Sequence, residues 1–152
     1  MRSLFKFLLQ LARCTSGSAL LEMTIVVPLA ISLMAGAVDF GLALSTQATL
    51  GKAVQDASRY LGSVSSDCNS LPGWAIANAT NLVVYGSFSA AGNTLISNWT
   101  ANGGTVSITC NPGPPVTVKA QFPYKSIVLA SFLPIAATFT LSATTWEASI
   151  GQ

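Results

Sequence analysis

The sequence predicts an α+β protein in which a long N-terminal transmembrane helix continues into a small exported domain, with an antiparallel β-sheet packed on helix. Three observations predict it. Apolar residues dominate 23–44, where Asp39 is the one ionisable side chain. Helical spacing persists to Leu61, with Leu50, Val54, Ala57 and Leu61 on one side and Lys52, Gln55, Asp56 and Arg59 elsewhere. After Gly62 the composition turns to Ser, Asn, Gly and Thr, with apolar residues alternating in short runs. Composition agrees, since charged residues are 8% and hydrophobic residues 51% of the chain, whereas soluble domains carry about 25% charge.

Residues 1–17 contain Arg2, Lys6 and Arg13 and no acidic residue, the pattern of a leader. The expected division is therefore a leader at 1–17, a transmembrane helix at 18–44, an amphipathic continuation at 45–61 and an exported domain at 62–152. A helix over 18–61 would be about 66 Å long at about 1.5 Å per residue. Glu22 and Asp39 would stand roughly 25 Å apart on it, a little under the ~30 Å hydrocarbon thickness, so each is expected near a membrane boundary. Three uncompensated basic residues ahead of the span predict a cytoplasmic N-terminus and export of the rest. Lys52 and Arg59 are expected to be balanced by Asp39 and Asp56.

In the exported part a short helix is predicted over 74–84 and strands over 105–110, 116–122 and 138–146. Val106 and Ile108, then Val116, Val118, Ala120 and Phe122, then Phe139, Leu141 and Ala143 would face inward, and such one-sided strands need an apolar cover. Asn102-Gly103-Gly104 reads as a hairpin turn. The uncharged run 126–145 raises a second membrane span, against which stand Pro134 and a threonine-rich second half with strand alternation.

Cys68 and Cys110 both fall in the exported part, where a disulfide persists. Pairing them would close a loop of about 43 residues and stabilise the domain by about 4 kcal/mol in the chain-entropy model; two free buried thiols are the alternative. Cys14 lies on the other side of the span. It loosely imitates a lipoprotein site, but Arg13 stands where that peptidase needs a small residue. Three cysteines without a histidine predict no metal site, and no cofactor is expected.

The formal net charge of +2 comes from seven basic and five acidic residues, and three of the basic ones lie in the leader, so no nucleic-acid partner is expected. Beyond Gly62 the charged side chains are Asp67, Lys119, Lys125 and Glu147, which supply no acid–base pair or activated nucleophile. The chain is therefore not expected to be an enzyme or to have a small-molecule substrate.

The string Gly17-Ser18-Ala19-Leu20-Leu21-Glu22 resembles a prepilin peptidase site, which would be cut after Gly17 to make Ser18 the new N-terminus. A carboxylate at the edge of hydrocarbon is costly unless paired. Cleavage would create a partner for Glu22, the new α-amine of a neighbouring subunit, and so switch on assembly. The plainer alternative is that Glu22 reaches the headgroups.

The residues that follow resemble the TadE-like family of minor pilins, or pseudopilins, of the tight-adherence (Tad) pilus machinery. The resemblance lies in EMTIVVP from Glu22 to Pro28, GAVDFGLAL from Gly36 to Leu44 and AVQDASRY from Ala53 to Tyr60, and more loosely in LVVYG, VTVKAQFPY and LSATT further on. It implies processing by a prepilin peptidase, and partners among other pilin and minor pilin subunits and the inner-membrane assembly platform. It also implies an inner-membrane location with the C-terminal domain periplasmic. Met23 departs from the tyrosine that follows the glutamate in the major pilins, which favours a minor pilin.

Two features of the helix suit assembly. Pro28 cannot donate to the carbonyl of Thr24, which would kink or loosen the helix. Ala37, Gly41 and Ser45 form a small-residue stripe that permits close helix approach. The competing readings are a soluble secreted protein released by signal peptidase after Ala37, where Ala35-Gly36-Ala37 imitates its site, and a membrane-anchored structural or binding protein.

Overall fold

The computed structural model describes residues 15–64, 70–110, 115–128, 130 and 138–148. Helix α1 runs from Thr15 to Val64, α2 from Gly73 to Tyr85, and three strands follow: β1 at Thr105–Cys110, β2 at Pro115–Lys125 and β3 at Thr138–Ala148. The architecture is α+β, a long apolar helix followed by a small antiparallel sheet that packs with a second helix.

Helix α1 extends three residues beyond the expected start and end and passes through Pro28 as one element. Its hydroxyl side chains bond back to their own helix, Thr24 to the Leu20 carbonyl at 2.7 Å, Thr46 to Leu42 at 2.8 Å and Thr49 to Ser45 at 3.0 Å. Such internal acceptors let polar side chains sit on an apolar helix. The helix is divided by its packing. From Ala19 to Met34 no side chain is buried, and Leu20, Ile25 and Met34 are about 70% exposed. From Ala35 onward one stripe is covered: Ala35, Asp39, Ala43, Leu50, Val54, Ala57 and Leu61. Intervals of three, four and seven keep these residues on one face.

That stripe meets α2 and the sheet. Ala75, Ala79 and Val83 of α2 are fully buried against it. The small side chains at Ala57, Ala75 and Ala79 permit close approach of the two helices. Pro72 caps α2 in extended conformation, and Gly86 ends it at φ 70°, donating its N–H to the Leu82 carbonyl at 3.0 Å.

The strands lie in the order β1-β2-β3, both pairs antiparallel. Central β2 alternates as expected, with Val116, Val118, Ala120, Phe122 and Tyr124 buried. The ladder outruns the expected strand ends because β2 and β3 keep pairing through Pro123↔Thr140, Tyr124↔Phe139 and Lys125↔Thr138. Pairing with β1 stops at Gln121, so Pro123 stands where β2 has one neighbour and a missing N–H is tolerated. Strand β3 occupies 138–148, which rules out a membrane helix over 126–145.

The Asn102-Gly103-Gly104 turn is not a hairpin. It is preceded by turns rather than a strand, and it folds Trp99 onto the sheet, where the indole stacks on Phe122 at 5.6 Å. Gly104 donates its N–H to the Trp99 carbonyl at 2.8 Å, and a Cβ at Gly104 would lie 2.5 Å from the indole ring. Gly104→Ala is expected to force the indole off Phe122 and destabilise the fold by about 1–3 kcal/mol. Thermal unfolding monitored by tryptophan fluorescence checks this; an unchanged midpoint contradicts it.

Candidate functional site

The chemistry of this chain is concentrated along α1 and at the point where its bare half meets the packed half. Asp39 marks that point. It is 6% exposed, between the buried Ala35 and Ala43 one turn away on either side. Those two methyl side chains leave room for another segment to approach, and the turn after β2 fills it. The backbone N–H groups of Ile127 and Val128 both donate to Asp39 Oδ1, each at 3.1 Å. A buried carboxylate needs such donors, and the turn's N–H groups, lying past the last paired residue of β2, need an acceptor.

Tyr124 reinforces the junction. Its hydroxyl donates to the Asp39 backbone carbonyl at 3.4 Å, and its ring lies 5.2 Å from that of Phe139. Burial pushes the Tyr124 phenol above the ordinary tyrosine range, and the negative charge of Asp39 adds to the shift. Farther along, Gln47 donates to the Ser142 carbonyl at 2.9 Å, and Arg59 faces Glu147 at 3.9 Å. Arg59 thus meets a residue of β3. Strand β3 therefore runs beside α1 in the same direction, and the Lys125↔Thr138 end of the ladder lies level with Asp39.

The other residues singled out from the sequence are not gathered into one place. Glu22 is exposed on the uncovered part of α1, 17 positions before Asp39. The backbone of Gly17 and Ser18 lies in the first turn of α1. Ala37, Gly41 and Ser45 are exposed, and nothing lies within 4 Å of a Cβ built on Gly41. Cys110 ends β1 at the surface; Cys68 and Cys14 lie outside the described residues. A cavity of about 440 Å³ opens beside the junction, lined by Leu42, Thr46, Phe122, Tyr124, Lys125 and Ile127 among others. Among the described residues no cluster of histidine, cysteine or carboxylate side chains is arranged to hold a metal ion.

The sequence signalled Asp39 as the one charge in the apolar run, but not its partners. They are backbone groups, and the alanines at positions 35 and 43 were the visible sign that something packs there.

The chain thus combines one helix long and apolar enough to cross a membrane, bare over its first half, with a small α+β head packed on its second half. The family model described as TadE-like protein matches residues 17–59, so this segment is similar to that family. The match ends within the packed half of α1, so it covers the Asp39 junction on the helix side. No curated protein and no solved structure gives a significant match to the chain.

Two predictions follow from the junction. Asp39→Ala removes the acceptor of two part-buried N–H groups and should destabilise the head by about 1–3 kcal/mol, whereas Asp39→Asn, which keeps an acceptor oxygen, should cost less. Chemical unfolding in detergent micelles measures both; equal and small effects contradict the clamp. For Tyr124, a folded pKa above the unfolded value near 10 means its contribution is intact below about pH 10 and is lost as pH rises through the folded value. Ultraviolet titration should show a late-ionising tyrosine, and Tyr124→Phe should abolish that step; an unchanged titration curve in the variant contradicts the assignment.

Proposed function

We propose that the chain is a minor pilin, or pseudopilin, of a Tad-type pilus. A prepilin peptidase cuts it after Gly17, and it works in pilus assembly through helix contacts. In this reading α1 sits in the bacterial inner membrane with its start in the cytoplasm, and the α+β head is periplasmic. Its partners are the peptidase, other pilin subunits and the assembly platform. Its work is contact, without catalysis, cofactor or metal.

The observation that carries this reading is the position of Glu22. It stands four residues after Ser18 on a helix surface that the head leaves uncovered throughout 19–34. A carboxylate on an apolar surface is stabilised by a cation at the same depth, and cleavage after Gly17 makes one at the start of each neighbouring subunit. The TadE-like match over 17–59 supports the same reading, since it begins at the proposed cleavage glycine. Ala37 and Gly41 add an exposed small-residue surface against which a neighbouring helix packs closely. Pro28 lies between Glu22 and this stripe, where it weakens one helical hydrogen bond and eases bending during extraction.

The proposal includes a Cys68–Cys110 disulfide. Cys110, at the end of β1, is disulfide-bonded, and Cys68, in the same part of the chain read as exported, is its proposed partner. Non-reducing peptide mapping should recover Cys68 and Cys110 in one cross-linked pair.

Protein purified from membranes should begin at Ser18, and Gly17→Ala should accumulate as a longer precursor. An N-terminus at Val38 would favour release by signal peptidase. Glu22→Ala should be inserted and cut normally yet lose incorporation into pili or pilin complexes. Wild-type assembly of that variant would show that no charge pair is needed.

A further inference from the structure

The end of the sheet beside Asp39 carries an apolar surface that assembly through α1 does not use. Along α1, Ser18 to Asp39 is about 30 Å, the thickness of a bilayer's hydrocarbon. The level of Asp39 is then the level of the membrane boundary, and the β2–β3 ladder ends at that level. Ile127 is 66% exposed there, Phe139 46% and Phe40 65%. Lys125 stands exposed beside them at the last rung of the ladder. The sequence joining the two strands, SIVLASFLPIAA from 126 to 137, has no charged residue, whereas strand connections in water are rich in polar and turn-forming residues.

We propose that this end of the sheet is a second membrane contact: Ile127, Phe139 and Phe40 sit in the interfacial layer of the bilayer that α1 crosses, and Lys125 meets the lipid phosphates. The proposal rests on the reading of α1 as a membrane anchor. Lipid is the occupant because the patch is continuous along α1 with the bare apolar surface of 19–34 and lies at the depth where apolar side chains and a snorkelling lysine are both satisfied. Asp39 has a role in this arrangement. By binding the Ile127 and Val128 N–H groups it removes the backbone donors that would oppose burial of this turn in a lipid interface.

The consequence is orientational. A head held only by α1 would be free to rotate with the helix and tilt, whereas a head resting on the bilayer by its β2–β3 end presents a fixed face to neighbouring subunits. Withdrawal of the patch from lipid would then accompany extraction into a filament.

The test uses the full chain in vesicles of phosphatidylethanolamine and phosphatidylglycerol. A photo-crosslinking residue, p-benzoylphenylalanine, replaces Ile127, or Ile25 on bare α1, or Ile76 on α2. Illumination followed by intact-mass analysis should give phospholipid adducts at positions 127 and 25 and none at 76. Adducts at 25 with none at 127, or cross-links from 127 to a second protein chain, would overturn the membrane contact while leaving the anchor intact. Absence of adducts at both 25 and 127 would overturn the anchor reading and this inference with it. With the crosslinker at Phe139, Ile127→Asp should abolish the lipid adduct, and an undiminished adduct would count against the proposed contact.

Discussion

Two backbone N–H groups and one buried carboxylate decide how this molecule is put together. Asp39 Oδ1 accepts from Ile127 and Val128 at the place where α1 changes from a bare apolar rod to the spine of a packed domain. Without that acceptor the turn after β2 would lose the partner of two part-buried donors beside an apolar helix. With it, the ladder is set so that Gln47 reaches Ser142 and Arg59 reaches Glu147 farther along. The surface pair of Arg59 and Glu147 adds little by itself, because both side chains are partly exposed. The buried junction and the apolar stripe supply the specificity.

The same arrangement separates the two tasks of the helix. Among the described residues, 19–34 contribute no buried side chain and present an apolar surface. Residues 35–64 are committed to the head through small and branched side chains, with Leu50, Val54, Ala57 and Leu61 fully covered. One continuous helix therefore links an uncovered apolar surface to a domain, and no loop interrupts it between the two. The TadE-like match spans both parts, from Gly17 to Arg59, as expected if the linkage itself defines the segment.

Much of this was legible in the sequence because periodicity is a local property. The apolar face of α1, the strand β1 and the inward residues of β2 could be read from spacing alone. Strand ends could not, since β2 and β3 continue through Pro123 and Tyr124 only because each finds a partner across the ladder. The turn at 102–104 misled for a related reason: Gly103 at positive φ and Gly104 look like a hairpin, but Gly104 is required by the bulk of Trp99 above it. Asp39 was visible as a charge near a membrane boundary, but its partner was not, because a backbone donor 88 residues away leaves no mark in composition. Gly17 and Glu22 were legible as a motif, and Glu22 is exposed on the uncovered part of α1.

Amide hydrogen exchange at Ile127 and Val128, measured residue by residue on the full chain in a bilayer mimic, tests the junction most directly. The account predicts that both amides exchange as slowly as those of central β2, with protection lost in Asp39→Ala but largely kept in Asp39→Asn. Exchange of both at the rate of an open loop in the unmodified protein would contradict it.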